Sequence, residues 1–179
     1  HDLLVISDEI YAELTYGGRH VSIASLPGMK ERTVLINGFS KAFAMTGWRI
    51  GFVCAPPELD AALFKIHQYA IMCAPGASQY AAIEGLKDGF TDNFAVVESM
   101  REEYDKRRRF MTRFFNENGL PCFEPRGAFY VYPSTAALGV TGEEFANGLL
   151  RAEKVAAVPG DAFGEAGKYH VRCSYATSM

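Results

Sequence analysis

The chain has 179 residues, of which 49% are hydrophobic and 22% are charged. This composition is typical of one or two small globular domains and excludes disordered and fibrous proteins. With 18 basic and 21 acidic residues the net charge is −3, so we expect no general affinity for nucleic acid. No apolar run approaches the roughly 20 residues that a membrane-spanning helix needs, and we expect no membrane association.

The first half of the chain alternates predicted strands and helices. Continuous apolar runs predict strands at 3–7, 33–37 and 50–55. The segment between the first two strands is long enough for a crossover between parallel strands. Proline and glycine signals together with apolar periodicity predict three helices. The first opens at Pro56 and Pro57, carries an apolar stripe from Leu59 to Ala70 and is broken at Pro75 and Gly76, the second covers 78–87 with an end near Gly89, and the third covers 92–118.

From Pro121 onwards the pattern changes to short strands and one helix. Thr141 and Glu144 form a capping-box pattern that begins a helix ending at about Glu153. The strands are predicted at 122–124, 128–132, 155–158 and 169–174. We therefore predict an α/β protein with a domain boundary inside the long helix, which divides the chain into 1–100 and 101–179.

The cysteines, the histidines and the chain ends bear on the class of protein. The four cysteines include no C-x-x-C pair, which predicts reduced thiols in a cytoplasmic protein. The four histidines lack the spacing of metal ligands, so no metal site is expected. The sequence begins without Met, immediately ahead of an apolar run, and stops just after a predicted strand, which suggests a fragment of a longer protein.

Two predicted strands end in side chains that are suited to chemistry. The first strand runs into Asp8 and the second into Lys41, and ligands of open α/β sheets bind outside the carboxyl ends of strands. Arg49 lies between Gly47 and Gly51, directly before the third strand. Taken one at a time, Asp8 could be a helix cap, Lys41 a solvated lysine and Arg49 part of a surface ion pair. Their joint position at strand ends favours a common site.

These residue types match the chemistry of one cofactor class. A partly desolvated lysine forms a Schiff base with a carbonyl compound. An aspartate keeps a pyridine nitrogen protonated, which makes the ring an electron sink. An arginine matches a phosphate with paired hydrogen bonds.

The segment 38–51, GFSKAFAMTGWRIG, resembles the lysine-attachment signature of the class I aminotransferases. These are pyridoxal 5'-phosphate (PLP) enzymes of the aspartate aminotransferase superfamily. The segment 7–11 is similar to the part of that family that supplies the pyridine partner, and 127–133 and 171–176 resemble its small-domain strands. The resemblance covers almost the whole chain, but only the C-terminal half of a family member.

The resemblance implies the two domains and the residues that hold the cofactor. Residues 1–100 would form part of the large PLP-binding domain, a mostly parallel sheet with helices, and 101–179 an incomplete small α+β domain. Lys41 would carry PLP as a Schiff base and act as the catalytic proton carrier. Asp8 would pair with the pyridine nitrogen, and Tyr11 would donate a hydrogen bond to the ring oxygen.

The resemblance also implies which residues bind the two anionic groups. Arg49, with the hydroxyl of Ser40, would bind the cofactor phosphate, and Arg172 would bind the substrate α-carboxylate. The chain departs from the family pattern at Gly38, where many members have a serine or threonine that contacts the phosphate. Only a backbone N–H remains at that position to replace the hydroxyl, which weakens the assignment of Ser40.

Three functions remain open at this point. The first is an aminotransferase that exchanges an amino group between an L-amino acid and a 2-oxo acid in amino-acid metabolism. The second is a PLP-dependent C–S β-lyase or a related eliminating enzyme, and the third is the aminotransferase-like sensor domain of a transcription regulator. The full-length protein is expected to be a homodimer, in which residues 73–76 reach the neighbouring pocket. The fragment alone is expected to be inactive.

Overall fold

The computed structural model describes residues 1–177. These form two compact units, the first His1–Ser99 and the second beginning at Met100. Each unit has its own three-stranded sheet. The first unit also contains helices α1 (Pro57–Ala70) and α2 (Gly76–Asp92). A third helix, α3 (Ala95–Glu117), begins in the first unit and lies mostly in the second. The α/β class expected from the sequence is confirmed.

The sheet of the first unit is mixed. Its strands are β1 (Val5–Asp8), β2 (Thr33–Gly38) and β3 (Gly51–Cys54), in that order. Strands β1 and β2 are parallel, whereas β2 and β3 are antiparallel, so the expectation of a mostly parallel sheet is wrong for this unit. The reason lies in the connection 39–50, which folds back on itself and is closed by a hydrogen bond from Phe39 N to Ile50 O of 3.4 Å.

The sequence predicts that the second helix ends near Gly89, and this prediction is wrong. Gly89 lies inside α2, and a Cβ atom there would overlap the ring of Phe94. The glycine therefore makes room for an aromatic ring, and α2 continues to Asp92, after which Asn93, with a φ of 57°, caps the helix. None of the helices within residues 1–177 is both long enough and apolar enough to cross a membrane.

The crossover between β1 and β2 contains no α-helix and is fastened by a buried carboxylate. The side chain of Glu9 accepts hydrogen bonds from Ser22 Oγ at 2.7 Å, His20 Nε2 at 2.8 Å and Ser7 Oγ at 3.0 Å. We refer to these four residues as the Glu9 cluster. Burial by itself raises the pKa of Glu9, but the hydrogen bonds from Ser22, His20 and Ser7 outweigh it and hold that pKa below the ordinary value of 4.5.

The second unit is built on an antiparallel sheet. Its strands are β4 (Tyr130–Val131), β5 (Val158–Pro159) and β6 (Val171–Ser174), with β6 in the centre. The predicted strand at 122–124 is absent from the described structure. The backbone N–H and C=O of Cys122 bond instead to the side-chain amide of Asn116, each at 3.0 Å, which leaves neither group for a strand partner.

Helix α4 (Gly142–Glu153) begins with the capping box that the sequence predicts. Glu144 N donates to Thr141 Oγ1 at 3.2 Å, and Thr141 N donates to Glu144 Oε2 at 2.8 Å. The first residue of α4 lies against the chain segment that leads into β6, because Gly142 N donates to Lys168 O at 2.8 Å. A Cβ atom on Gly142 would overlap the carbonyl oxygen of His170, so this close approach requires glycine.

Two glycine substitutions in α4 should change stability in opposite directions. Gly142→Ala should lower the free energy of unfolding by about 2 kcal/mol or more, because backbone must move to admit the methyl group. Gly148, in the middle of the same helix, has no atom within 4 Å of an added Cβ. Gly148→Ala should therefore raise stability by about 0.5–1 kcal/mol through helix propensity. Chemical denaturation of both variants measures the difference, and equal effects would contradict the packing of α4 on β6.

The stabilisation that the Glu9 cluster provides should depend on pH. Because the pKa of Glu9 is lowered in the folded state, its contribution is complete above the unfolded value of 4.5 and is lost as the pH falls through the folded value. The difference in unfolding free energy between wild type and Glu9→Gln should therefore shrink between about pH 5 and about pH 3. Glu13→Gln, which removes an exposed carboxylate outside the cluster, is the matched control and should show no such trend. A difference independent of pH would refute the assignment.

Candidate active site

The first unit brings three of the predicted site residues to one edge of its sheet. Asp8 is the last residue of β1 and lies opposite Ile36 of β2. Since these strands are parallel, the turn that follows β2 emerges at the same edge as Asp8. Lys41 lies in that turn, and its Nζ is 5.6 Å from the centroid of the Tyr11 ring. The carboxylate, the phenol and the amine thus belong to one region of the surface.

The turn that carries Lys41 is anchored in the core of the first unit. Phe39 and Met45 flank the lysine and are buried together with Ala82 of α2. Phe43 N and Met45 N both donate to Phe39 O at 3.2 Å, and Ala44 N donates to Lys41 O at the same distance. Lys41 itself is half-buried. A lysine between two core residues holds its position more firmly than one on a free surface loop.

Arg49 and Ser40, the two residues predicted to bind phosphate, are linked by Thr46. Arg49 Nη1 donates to Thr46 O at 2.9 Å, and Thr46 Oγ1 donates to Ser40 O at 2.9 Å. Arg49 has a φ of 52°, which turns the chain back into β3. Ser78 Oγ of α2 donates to Trp48 O at 2.6 Å and ties this turn to the helix. Thr46 was not identified from the sequence as a residue of this turn. The signal that could have found it is a hydroxyl side chain between Lys41 and Arg49.

The structure explains why position 38 lacks a hydroxyl side chain. Gly38 lies opposite Gly51, and a Cβ atom on it would be 2.8 Å from Gly51 Cα and 3.0 Å from Ile50 O. A side chain at this point would force β2 and β3 apart. The N–H of Gly38, the group left at this position to replace the hydroxyl, donates to Asn37 Oδ1 at 2.7 Å.

Arg172 belongs to β6 in the second unit and is held between two aromatic rings. Its guanidinium carbon lies 4.4 Å from the ring centroid of Tyr130 and 4.5 Å from that of Phe163. Both distances are within the range of cation–π contacts. No carboxylate within residues 1–177 forms an ion pair with Arg172. The guanidinium therefore has two aromatic neighbours and no anionic partner in this part of the chain.

Two charged residues of the first unit share this lack of an internal ionic partner. Asp8 accepts a hydrogen bond from Ile10 N at 3.1 Å but pairs with no cation among the described residues. Arg49 likewise has no carboxylate partner within 1–177. Arg108 shows the contrasting arrangement of a structural arginine, since it is buried between Asp105 and Glu124, each at 2.6 Å. Charges left without internal partners are suited to binding charged ligands.

Known proteins similar to this chain are aminotransferases. It is 58% identical to the Bacillus subtilis protein YugH, whose name describes it as an aminotransferase, over 100% of this chain and 45% of that protein. It is 50% identical to the aspartate aminotransferase of Pyrococcus abyssi, over 99% of this chain and 46% of the relative. The crystal structure of an aromatic aminotransferase from Pyrococcus horikoshii matches with a TM-score of 0.93 and 50% identity, over 99% of this chain and 47% of that one.

These matches extend along the whole chain but not along the whole of the relatives. The chain spans slightly less than half of the length of each of the three proteins. The model of the family "Aminotransferase class I and II" matches residues 1–179, which include both units and every candidate site residue. The resemblance noted in the sequence is thereby confirmed, and the chain belongs to the class I and II aminotransferase family.

Proposed function

We propose that the full-length protein containing this chain is a PLP-dependent aminotransferase that exchanges an amino group between an L-amino acid and a 2-oxo acid. The observation that carries this proposal is the meeting of Asp8, Tyr11 and Lys41 at one sheet edge, with Lys41 Nζ 5.6 Å from the Tyr11 ring. In this proposal residues 1–100 are part of the large PLP-binding domain, and 101–179 belong to the small domain.

The side chains at the site fit the functional groups of PLP. The cofactor has an aldehyde, a ring oxygen, a pyridine nitrogen and a phosphate, and the chain offers an amine, a phenol, a carboxylate and a guanidinium in Lys41, Tyr11, Asp8 and Arg49. When bound, PLP supplies an electron-withdrawing ring that stabilises negative charge on the substrate α-carbon. Asp8 supports this property because its carboxylate, which has no internal cation, favours a protonated ring nitrogen.

Lys41 is the residue that we propose moves protons. The amine of Lys41 would hold the cofactor aldehyde and would be released from it by the substrate amine. It would then take the substrate α-proton as a general base and deliver it, as a general acid, to the cofactor carbon that bore the aldehyde. Lys41 is half-buried in the turn between Phe39 and Met45, which restricts its motion. This supports a defined direction from which the amine approaches the α-proton.

Arg49 and Ser40 anchor the phosphate in this proposal. The bonds of Thr46 to both residues hold them in the same turn, and the guanidinium of Arg49 is exposed without a carboxylate partner in the described chain. A planar guanidinium binds phosphate oxygens through charge-assisted hydrogen bonds. This supports the assignment of Arg49, whereas the role of the Ser40 hydroxyl rests on the family resemblance.

Arg172 is proposed to bind the substrate α-carboxylate. The rings of Tyr130 and Phe163 lie close to its guanidinium and restrict the side chain, and an α-carboxylate is the planar anion that such a fork accepts. A fixed carboxylate limits the orientations of the amino acid, so that the α-hydrogen is presented to the general base.

The relatives support transamination rather than elimination. The Pyrococcus abyssi protein is named an aspartate aminotransferase, and the Pyrococcus horikoshii structure is described as an aromatic aminotransferase. Because acidic and aromatic substrates both occur among such close relatives, we propose the substrate class of α-amino acids and 2-oxo acids without a particular side chain. The proposal includes a homodimer, as the family resemblance implies.

Replacing Lys41 tests the attachment site of the cofactor. Borohydride treatment of the full-length protein loaded with PLP should fix the cofactor on the peptide that contains Lys41, as detected by mass spectrometry. Lys41→Ala should lose both this label and the visible absorbance of covalently bound PLP. Lys30→Ala, which removes an exposed lysine of the same unit, should keep both. A label that persists in Lys41→Ala would rule out this residue.

Replacing Arg172 tests the carboxylate site. Arg172→Ala should raise the KM for the amino acid by roughly 10- to 100-fold, because a charge-assisted hydrogen-bond pair is lost. The preference for an amino acid over the corresponding amine without a carboxylate should fall by a similar factor. Arg151→Ala, an exposed arginine of α4, serves as the control. An unchanged preference in Arg172→Ala would show that another residue binds the carboxylate.

A further inference from the structure

The carboxylate of Glu9 is not used by the proposed reaction, yet it lies in the chain between two of the cofactor residues. Glu9 follows Asp8 directly and precedes Tyr11 by two residues. It is only 6% exposed, whereas Asp8 is exposed and Tyr11 is half-buried. Burying a carboxylate costs free energy unless several hydrogen-bond donors satisfy it, so a buried Glu9 beside the site must be held by such donors.

The side chain of Glu9 joins two parts of the chain that are distant in sequence. Ser7 belongs to β1, whereas His20 and Ser22 lie near the middle of the segment that connects β1 with β2. Glu9 Oε1 accepts from both serines, and Oε2 accepts from the imidazole, so both carboxylate oxygens are occupied. The lowered pKa of Glu9, which the hydrogen bonds from Ser22, His20 and Ser7 maintain against burial, keeps the group in the ionised state that accepts all three bonds.

The backbone of Glu9 is fixed as well. Its N–H donates to Ile36 O at 2.8 Å and so continues the β1–β2 pairing by one residue beyond Asp8. Its C=O accepts from Ala12 N at 2.9 Å, which closes the turn that contains Tyr11. Both peptide groups that flank Glu9 are therefore held, one on the side of Asp8 and the other on the side of Tyr11.

The turn beyond Glu9 carries this constraint to Tyr11. Leu14 N donates to Tyr11 O at 2.9 Å, and Leu14 is completely buried. Tyr11 thus lies between a turn fixed by Glu9 and a residue of the core. The constraint also reaches Asp8, on the N-terminal side of Glu9. Successive side chains of an extended segment point to opposite faces of the sheet, so fixing Glu9 on one face directs Asp8 to the other face.

We propose that Glu9 is a positioning residue of the cofactor site, which, held by Ser7, His20 and Ser22, fixes the backbone that presents Asp8 to the pyridine nitrogen and Tyr11 to the ring oxygen of PLP. This inference rests on the proposed function. Loss of the Glu9 cluster leaves both PLP-binding groups in the chain but allows them to move away from the ring. The main consequence is a change in the bound cofactor, in addition to any change in stability.

The test compares Glu9→Ala and Glu9→Gln with Glu13→Ala and Glu13→Gln in the full-length protein. Glu13 is an exposed glutamate close to Glu9 in sequence and outside the cluster, so it controls for the loss of one negative charge. Three quantities are measured: the PLP dissociation constant, the pH at the midpoint of the visible absorbance change of bound PLP, and the melting temperature of the cofactor-free protein.

Glu9→Ala should weaken PLP binding by about tenfold relative to its Glu13 control, as is typical when the support of a directly binding group is removed. The absorbance midpoint should move to higher pH, because a displaced Tyr11 stabilises the ionised ring oxygen less well. Glu9→Gln keeps an oxygen acceptor and should restore part of both effects. A cluster with a purely structural role would lower the melting temperature and leave the absorbance midpoint in place.

Ser22→Ala and His20→Gln provide a second route should Glu9→Ala fail to fold. Each removes one donor to Glu9 and keeps the carboxylate, so each should shift PLP affinity and the absorbance midpoint in the same direction by a smaller amount. Glu9, Ser22 and His20 variants that bind PLP like the Glu13 controls, with an unchanged midpoint, would overturn the inference and leave the proposed function standing. A wild-type protein that binds no PLP would reject the proposed function and this inference with it.

Discussion

The parallel pairing of β1 with β2 is the constraint on which the candidate site depends. Asp8 and Lys41 are far apart in sequence, and only the register that sets Asp8 opposite Ile36 brings the ends of both strands to one edge. A shift by one residue would turn the Asp8 side chain to the other face of the sheet. The Glu9 N–H, bonded to Ile36 O just beyond the strand, holds this register at the point where the site begins.

Two sets of charged groups in this chain differ in how they are satisfied. The guanidinium of Arg108 and the carboxylate of Glu9 are buried and bonded to partners within the chain. Asp8, Arg49 and Arg172 have no ionic partner among residues 1–177. Charged side chains that a protein leaves unpaired are available for a ligand, and the proposed function assigns to them the pyridine nitrogen and the phosphate of PLP and the carboxylate of the substrate.

Local patterns predicted the parts of the fold that local physics determines. Neighbouring residues determine the capping box at Thr141 and the strand that leads into Asp8. They also determine the turn that carries Lys41. Features that depend on distant contacts were missed. Gly89 was interpreted as a helix end because a helix pattern does not show that the ring of Phe94 needs the space beside this glycine. The segment at Cys122 was interpreted as a strand because its pattern does not show that the side-chain amide of Asn116 bonds to the backbone of Cys122.

The arrangement of Tyr130, Phe163 and Arg172 has an entropic consequence. A long arginine side chain loses up to about 2 kcal/mol of rotamer entropy when it becomes immobile. Here the two rings restrict the side chain once the second unit has folded, before any ligand arrives. Tight recognition of a small ionic molecule is then possible without a large ordering penalty at the moment of encounter, an advantage of preorganisation.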